Sequence, residues 1–255
     1  AFVPDRVRFV AEFGQDDEFP RYLFRGSLPT ERNGDLLTFT FTYDNLTETL
    51  ATVAEQAEIA LPPPEEYYIV DVALEWYPVI EGSELAAERD FFEANPALGV
   101  LPVNMPHLLG SATSAWDLYH VDPSWVLKKA KDLPSWQRDN VTGVTEAMAS
   151  TLLNAPDADA DRSLLESACP ADKACLVYVH CTWGVDRTGE VVGAFVLQYR
   201  DMMAEWDLWQ GNMKSFIEYQ NGISPYGFWY PNWKWAFEWY CFYLMANDHD
   251  VNCVD

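Results

Sequence analysis

Cys181 and Arg187 stand six positions apart in the run His180-Cys181-Thr182-Trp183-Gly184-Val185-Asp186-Arg187-Thr188-Gly189. The apolar, β-branched residues 176–179 read as a buried strand and residues 188–199 as a helix, so 180–187 must be the turn from a strand's end to a helix start. In that position the oriented backbone amides and the positive end of the helix dipole favour a thiolate on Cys181. The same groups attract the oxygens of a phosphate, so a nucleophile and an anion are brought to one point. Arg187, at the far end of the turn, can curl back and clamp two oxygens with its planar fork. Gly184 allows the close backbone approach that such a turn needs.

These ten residues resemble the signature of the cysteine-based protein tyrosine and dual-specificity phosphatase superfamily, His-Cys-x5-Arg-Ser/Thr. The resemblance covers the signature clearly and the order of strands and helices from 21 to 199 loosely. It implies a three-layer α/β/α phosphatase-type fold and a reaction in which Cys181 attacks phosphorus in line to form a phosphocysteine. By the same resemblance Arg187 binds the ground state and stabilises the transition state, Thr188 hydrogen-bonds the thiolate, and His180 orients the loop. Thr182, Trp183, Gly184, Val185 and Gly189 complete the substrate-binding turn, with no metal and no organic cofactor.

A general acid must protonate the leaving oxygen, and the Trp-Pro-Asp motif that commonly supplies it is absent. The irregular segment 106–141 offers Asp117 and Asp122, with Asp139 behind them. Asp186 is the alternative. A carboxylate beside a phosphate dianion and a thiolate is pushed towards its protonated form, the state an acid requires; equally, Asp186 braces the loop by accepting hydrogen bonds. Inositol-phosphate relatives tend to carry basic residues within the loop, whereas this one has Thr182, Trp183 and Val185. A neutral loop suits a substrate with one phosphate, such as phosphotyrosine or another protein phosphomonoester, with Trp183 either stacking on it or packing against the aromatic tail. The alternatives are an inositol-phosphate or phosphoinositide phosphatase, and a phosphate-binding pseudophosphatase without turnover.

Composition limits the partners. Forty acidic residues against 16 basic ones give a net charge of −24, which argues against nucleic acid and anionic membrane surfaces. No apolar run is long enough for a transmembrane segment. With 255 residues and 49% hydrophobic composition, one domain spanning 1–255 is expected. The five cysteines allow two local disulfides, Cys169–Cys175 and Cys241–Cys253, leaving Cys181 free, while five reduced thiols fit the count as well. A first residue that is not Met and two glycosylation sequons, at Asn45 and Asn140, tilt the expectation towards an extracytoplasmic rather than a cytoplasmic protein.

The elements that must position the turn follow in chain order. Residues 21–29 read as a strand ending in a turn, 36–43 as an alternating strand, and 46–59 as a helix capped by Asp44 or Asn45. Residues 67–74 form an apolar run broken only by Asp71, as in a strand covered on both faces. An acidic helix over 83–93 and a third buried strand over 98–105 complete a β-α-β-α-β rhythm, which implies a central, largely parallel sheet wrapped by helices. Segment 106–141, a lid or plain packing, contains a helix-like stretch at 125–131; a helix over 144–153 follows. The acidic run 156–161 lacks the glycine and closing glutamate of a calcium loop. The central helix extends to 203, and helices over 208–219 and 233–245, joined through a turn-rich link at 222–231, make the carboxyl-terminal part helical and rich in aromatics.

Overall fold

Eight buried residues in succession, Ala174–Cys181, form the central strand β8 of the computed structural model. The structure describes residues 2–14, 19–34, 38–75, 82–102, 105–106, 122–135, 140–153, 169–203 and 232–253. Complete burial of β8 follows from its place in the sheet. On one side it pairs in parallel with β2 (Arg21–Ser27), on the other with β5 (Tyr67–Glu75). β1 (Arg8–Phe13) lies antiparallel on the outer edge of β2, and β6 (Gly99–Val100) and β7 (Met105–Pro106) both pair in parallel with β5. A separate two-stranded sheet joins β3 (Thr30–Arg32) to β4 (Phe39–Phe41).

Strand alternation divides β8 between two helical layers. Val177, Val179 and Cys181 face a cluster that includes residues of α3 (Pro123–Ala130), α4 (Val141–Leu152), α5 (Asp186–Tyr199) and α6 (Asn232–Ala246). Leu176 and Tyr178 face the other way, towards Leu46, Leu50 and Ala54 of α1 (Tyr43–Gln56) and Phe92 of α2 (Gly82–Ala94). The chain is thus a mixed α/β fold with a mostly parallel sheet and helices on both faces, six helices among the described residues. None of these helices is long and apolar enough to cross a membrane.

Several elements differ from their sequence expectation for identifiable reasons. β1 went unread because a register shift between Phe9 and Ala11 breaks its alternation. The third strand, expected over 98–105, is two short pairings; Pro102 lies between them and has no N–H to give to a ladder. The strand expected over 36–43 is confined, among the described residues, to Phe39–Phe41 and lies outside the main sheet. Helix α1 begins at Tyr43, earlier than an Asp44 or Asn45 cap would allow, and Thr42 at its N-cap donates its hydroxyl to Pro29 O instead of accepting from the helix. Helix α5 begins at Asp186, because Asp186 and Arg187 are polar and invisible to apolar periodicity.

Both local disulfides are formed, Cys169–Cys175 with Cα atoms 5.7 Å apart and Cys241–Cys253 with 5.8 Å, and Cys181 is the free thiol. The second anchors the end of the described chain to α6, whose Phe237, Tyr240 and Phe242 are buried and which packs on α5 and α3. Asp117, Asp139, the acidic run 156–161, the helix expected over 208–219 and the link 222–231 lie outside the described residues.

Candidate functional site

Cys181 is the last residue of β8, and four residues of turn separate it from the first residue of α5. The turn is folded back on itself by its own backbone: the amides of Gly184 and Leu28 both donate to Cys181 O, at 3.2 and 3.0 Å. Gly184 has φ +67° and sits against β2, where a Cβ would lie 2.3 Å from Gly26 O. Both the dihedral and the contact demand glycine. Gly184→Ala is expected to cost about 2–4 kcal/mol of stability, read from urea midpoints. Unchanged stability would show that the β2 contact does not constrain the turn.

Three arginines converge on the turn. Arg6 donates from Nη1 to Trp183 O at 2.7 Å, and its guanidinium lies 5.1 Å from the indole centroid, a cation–π contact of about 0.5–1 kcal/mol. Arg25, on β2, donates from Nη2 to Gly184 O at 2.8 Å. Arg187, on the first turn of α5, reaches Leu74 O at the end of β5 with Nη1 at 2.5 Å and Thr182 Oγ1 with Nη2 at 3.3 Å. All three are nearly sealed from solvent, Arg6 at 8%, Arg25 at 0% and Arg187 at 5% exposure. In a chain of net charge −24, this is the local concentration of cations that an anion needs. Arg6 and Arg25 thereby fix the carbonyls of two successive turn residues, Trp183 and Gly184.

The remaining residues of the signature are placed as follows. Val185 and Thr188 are buried, and Gly189 N–H donates to Val185 O at 2.8 Å in the first turn of α5. The Thr188 hydroxyl makes no hydrogen bond among the described residues. Trp183 is 55% exposed, with the Arg6 guanidinium over its ring, and most of the aromatic tail it was alternatively expected to pack against lies outside the described residues. A small cleft at the end of β8 is lined by Leu28, Leu74, Leu85, His180, Cys181 and Thr182.

The two described carboxylates proposed for acid chemistry have different surroundings. Asp122 is exposed and caps α3, accepting from Ser124 N and Ser124 Oγ at 3.0 Å each, with Pro123 at the first helical position. Asp186 is half-buried at the start of α5, and its Oδ1 is sealed without a hydrogen-bond donor among the described residues. Burial pushes its carboxyl above the ordinary range, and the neighbouring Arg187 offsets this only in part.

His180 does not face the turn. Strand alternation places it on the opposite side of the sheet, stacked on Tyr178 at 5.4 Å, with Nε2 3.0 Å from Asp71 Oδ1 and 3.6 Å from Glu88 Oε2. Asp71, Glu88, Arg6 and Arg25 are the residues that sequence reasoning missed. A signal existed for two of them: Asp71 is the one charged residue in an otherwise apolar central run, and Glu88 shares the helical stripe of Leu85 and Phe92. Arg25 and Arg6 gave none, because an isolated cation in a strand or a short turn reads as solvated until the backbone it holds is seen.

No protein-family model matches the chain, and no curated protein matches it.

Proposed function

We propose that this protein is a phosphomonoester hydrolase working through a phosphocysteine at Cys181, with phosphotyrosine-like or other protein phosphomonoesters as substrates. The observation that carries the reading is the turn itself: a buried cysteine ends the central strand, and Arg6, Arg25 and Arg187 gather around the next six residues. Cys181 Sγ attacks phosphorus and the leaving oxygen departs opposite it. Arg187 stabilises the charge on the equatorial oxygens. Thr188, whose hydroxyl is uncommitted within the described structure, donates to the sulfur as water displaces it from phosphorus.

Asp186 supplies the proton to the leaving group. Its raised pKa keeps it protonated further into the working pH range, and an Oδ1 without a donor is not the brace of a loop. Trp183, exposed at the rim and braced by Arg6, offers a stacking face to an aryl phosphate. The phosphatase-type fold expected from the resemblance belongs to this same proposal.

The deciding experiment is phosphate release from aryl, peptidyl and inositol phosphates under identical conditions. Preference for aryl and peptidyl substrates supports the proposal; preference for inositol phosphates overturns the substrate class, and tight binding of all three without release overturns turnover.

Asp186→Asn has a distinctive signature. Its kcat loss is expected to grow with the pKa of the leaving group, from a few-fold for a nitrophenyl ester to about 10²-fold or more for an alkyl ester, with loss of the alkaline limb of the pH–rate profile. Its effect on stability has the opposite sign. Because the folded-state pKa is raised, the native protein binds more protons than the unfolded chain between the ordinary and the raised value, so stability falls as pH rises through that window. Asn removes the titration, and Tm measured from pH 4 to pH 7 should fall less steeply in the variant. A parallel pair of Tm profiles would show that Asp186 is not the buried acid.

A further inference from the structure

The alternation of β8 that gives Cys181 to one layer gives His180 to the other, and there two acidic side chains meet it. Asp71, at the midpoint of β5, and Glu88, on the inner face of α2, are both 0% exposed, and His180 is 1% exposed. One ligand atom from each lies within 4.8 Å of the other two. Neither oxygen of Asp71 and neither ring nitrogen of His180 makes a hydrogen bond among the described residues. The 3.0 Å approach of Nε2 to Asp71 Oδ1 is therefore not an N–H aimed at a carboxylate. Tyr178, whose ring stacks on the imidazole, gives its own proton to Ser27 O at 2.7 Å.

Charge sharpens the point. Asp71 is sealed from water with neither oxygen meeting a hydrogen-bond donor among the described residues, and a buried acidic side chain costs several kcal/mol unless it is paired or coordinates a metal. A divalent cation held by Asp71 and His180, with Glu88 as third ligand, supplies that partner. Zinc bonds to nitrogen and oxygen at about 2.0–2.1 Å, and tetrahedral angles then set the donor atoms about 3.3 Å apart. The separations of 3.0 and 3.6 Å around His180 Nε2 straddle that value. The geometry points to a divalent-cation site made by Asp71, Glu88 and His180, of the mixed nitrogen and oxygen kind that takes zinc or manganese. An ion there ties β5, β8 and α2 together through one centre.

The site stands independently of the hydrolytic reading, since the attack by Cys181 uses no metal. It does revise the expectation, formed from the sequence, of a protein without one.

The test uses the full chain, stripped with chelator and dialysed against zinc, with bound metal measured by mass spectrometry. One zinc ion per chain is expected in the wild type and in Cys181→Ser, with affinity at least about tenfold weaker in Glu88→Gln and Asp71→Asn. Zinc should raise the Tm of the first two proteins and leave the carboxamide variants unmoved. X-ray absorption of the wild-type complex should show one imidazole nitrogen, oxygens and no sulfur, a readout that does not depend on how the variants fold. Retention of zinc unchanged in Glu88→Gln, loss of zinc in Cys181→Ser, a sulfur in the metal shell, or no binding of zinc or manganese by the wild type would each overturn the assignment.

Discussion

On the proposed mechanism, Cys181→Ser is expected to lower turnover of an aryl phosphate by about 10⁴-fold or more and to leave phosphate binding in place. The asymmetry follows from where the parts sit. The sulfur belongs to the last residue of β8, whereas the proposal assigns the anion to the turn and to Arg187, which donates to Leu74 O and Thr182 Oγ1. Serine occupies nearly the same volume and leaves those contacts untouched, but its hydroxyl is not ionised at neutral pH and is a poor leaving group from phosphorus. Inorganic phosphate should therefore inhibit wild type, or bind to the variant, with constants within about threefold of each other. Equal residual activity in the two proteins would sink the covalent mechanism. Absence of activity in both, with phosphate bound, would make the turn a recognition site.

Arg187→Lys is the second large effect and the less intuitive one, because charge is conserved. Kcat/KM should fall by about 10³-fold. Arg187 bridges two elements, with one nitrogen on the last part of β5 and the other on Thr182 in the turn. A lysine is a single point charge; it can satisfy one of these partners or face one phosphate oxygen, and cannot hold a planar fork against two. Separate measurement of kcat and KM reads the cause: loss in both places the guanidinium on substrate in ground and transition states, and loss in KM alone confines it to binding. A decrease smaller than tenfold would remove Arg187 from the transition state.

The legible parts of this chain were those with a strong local signature. Residues 176–179 are β-branched and apolar without interruption, and the structure buries the strand on both faces. The helix after the turn carries apolar residues around most of its circumference, and Val191, Val192, Phe195 and Val196 are all buried. The two short cysteine spacings allowed the pairings that are formed. Where the sequence was opaque, a tertiary contact decided the outcome. The bulge in β1, the break at Pro102 and the start of α1 at Tyr43 depend on partners outside the element itself or on a missing donor. In the site, the cysteine, the arginine and the glycine were legible because a turn of that length restricts what can stand there. Arg6 and Arg25 were not, since each acts on a backbone carbonyl more than 150 residues distant, at separations of 177 and 159. His180 was read by its neighbour in sequence, whereas a strand gives adjacent residues to opposite faces.

The cysteine pairing has a consequence for oxidation chemistry. With Cys169, Cys175, Cys241 and Cys253 paired among themselves, the thiol of Cys181 has no partner within the chain. Cys175 shares its strand but lies six residues back, about 20 Å along β8, and is already committed. A peroxide that converts Cys181 to a sulfenic acid therefore meets no resolving cysteine to trap it as an internal disulfide. Its fate is then set by encounter with an outside thiol, which restores the nucleophile, or with a second oxidant, which drives it irreversibly to sulfinic acid.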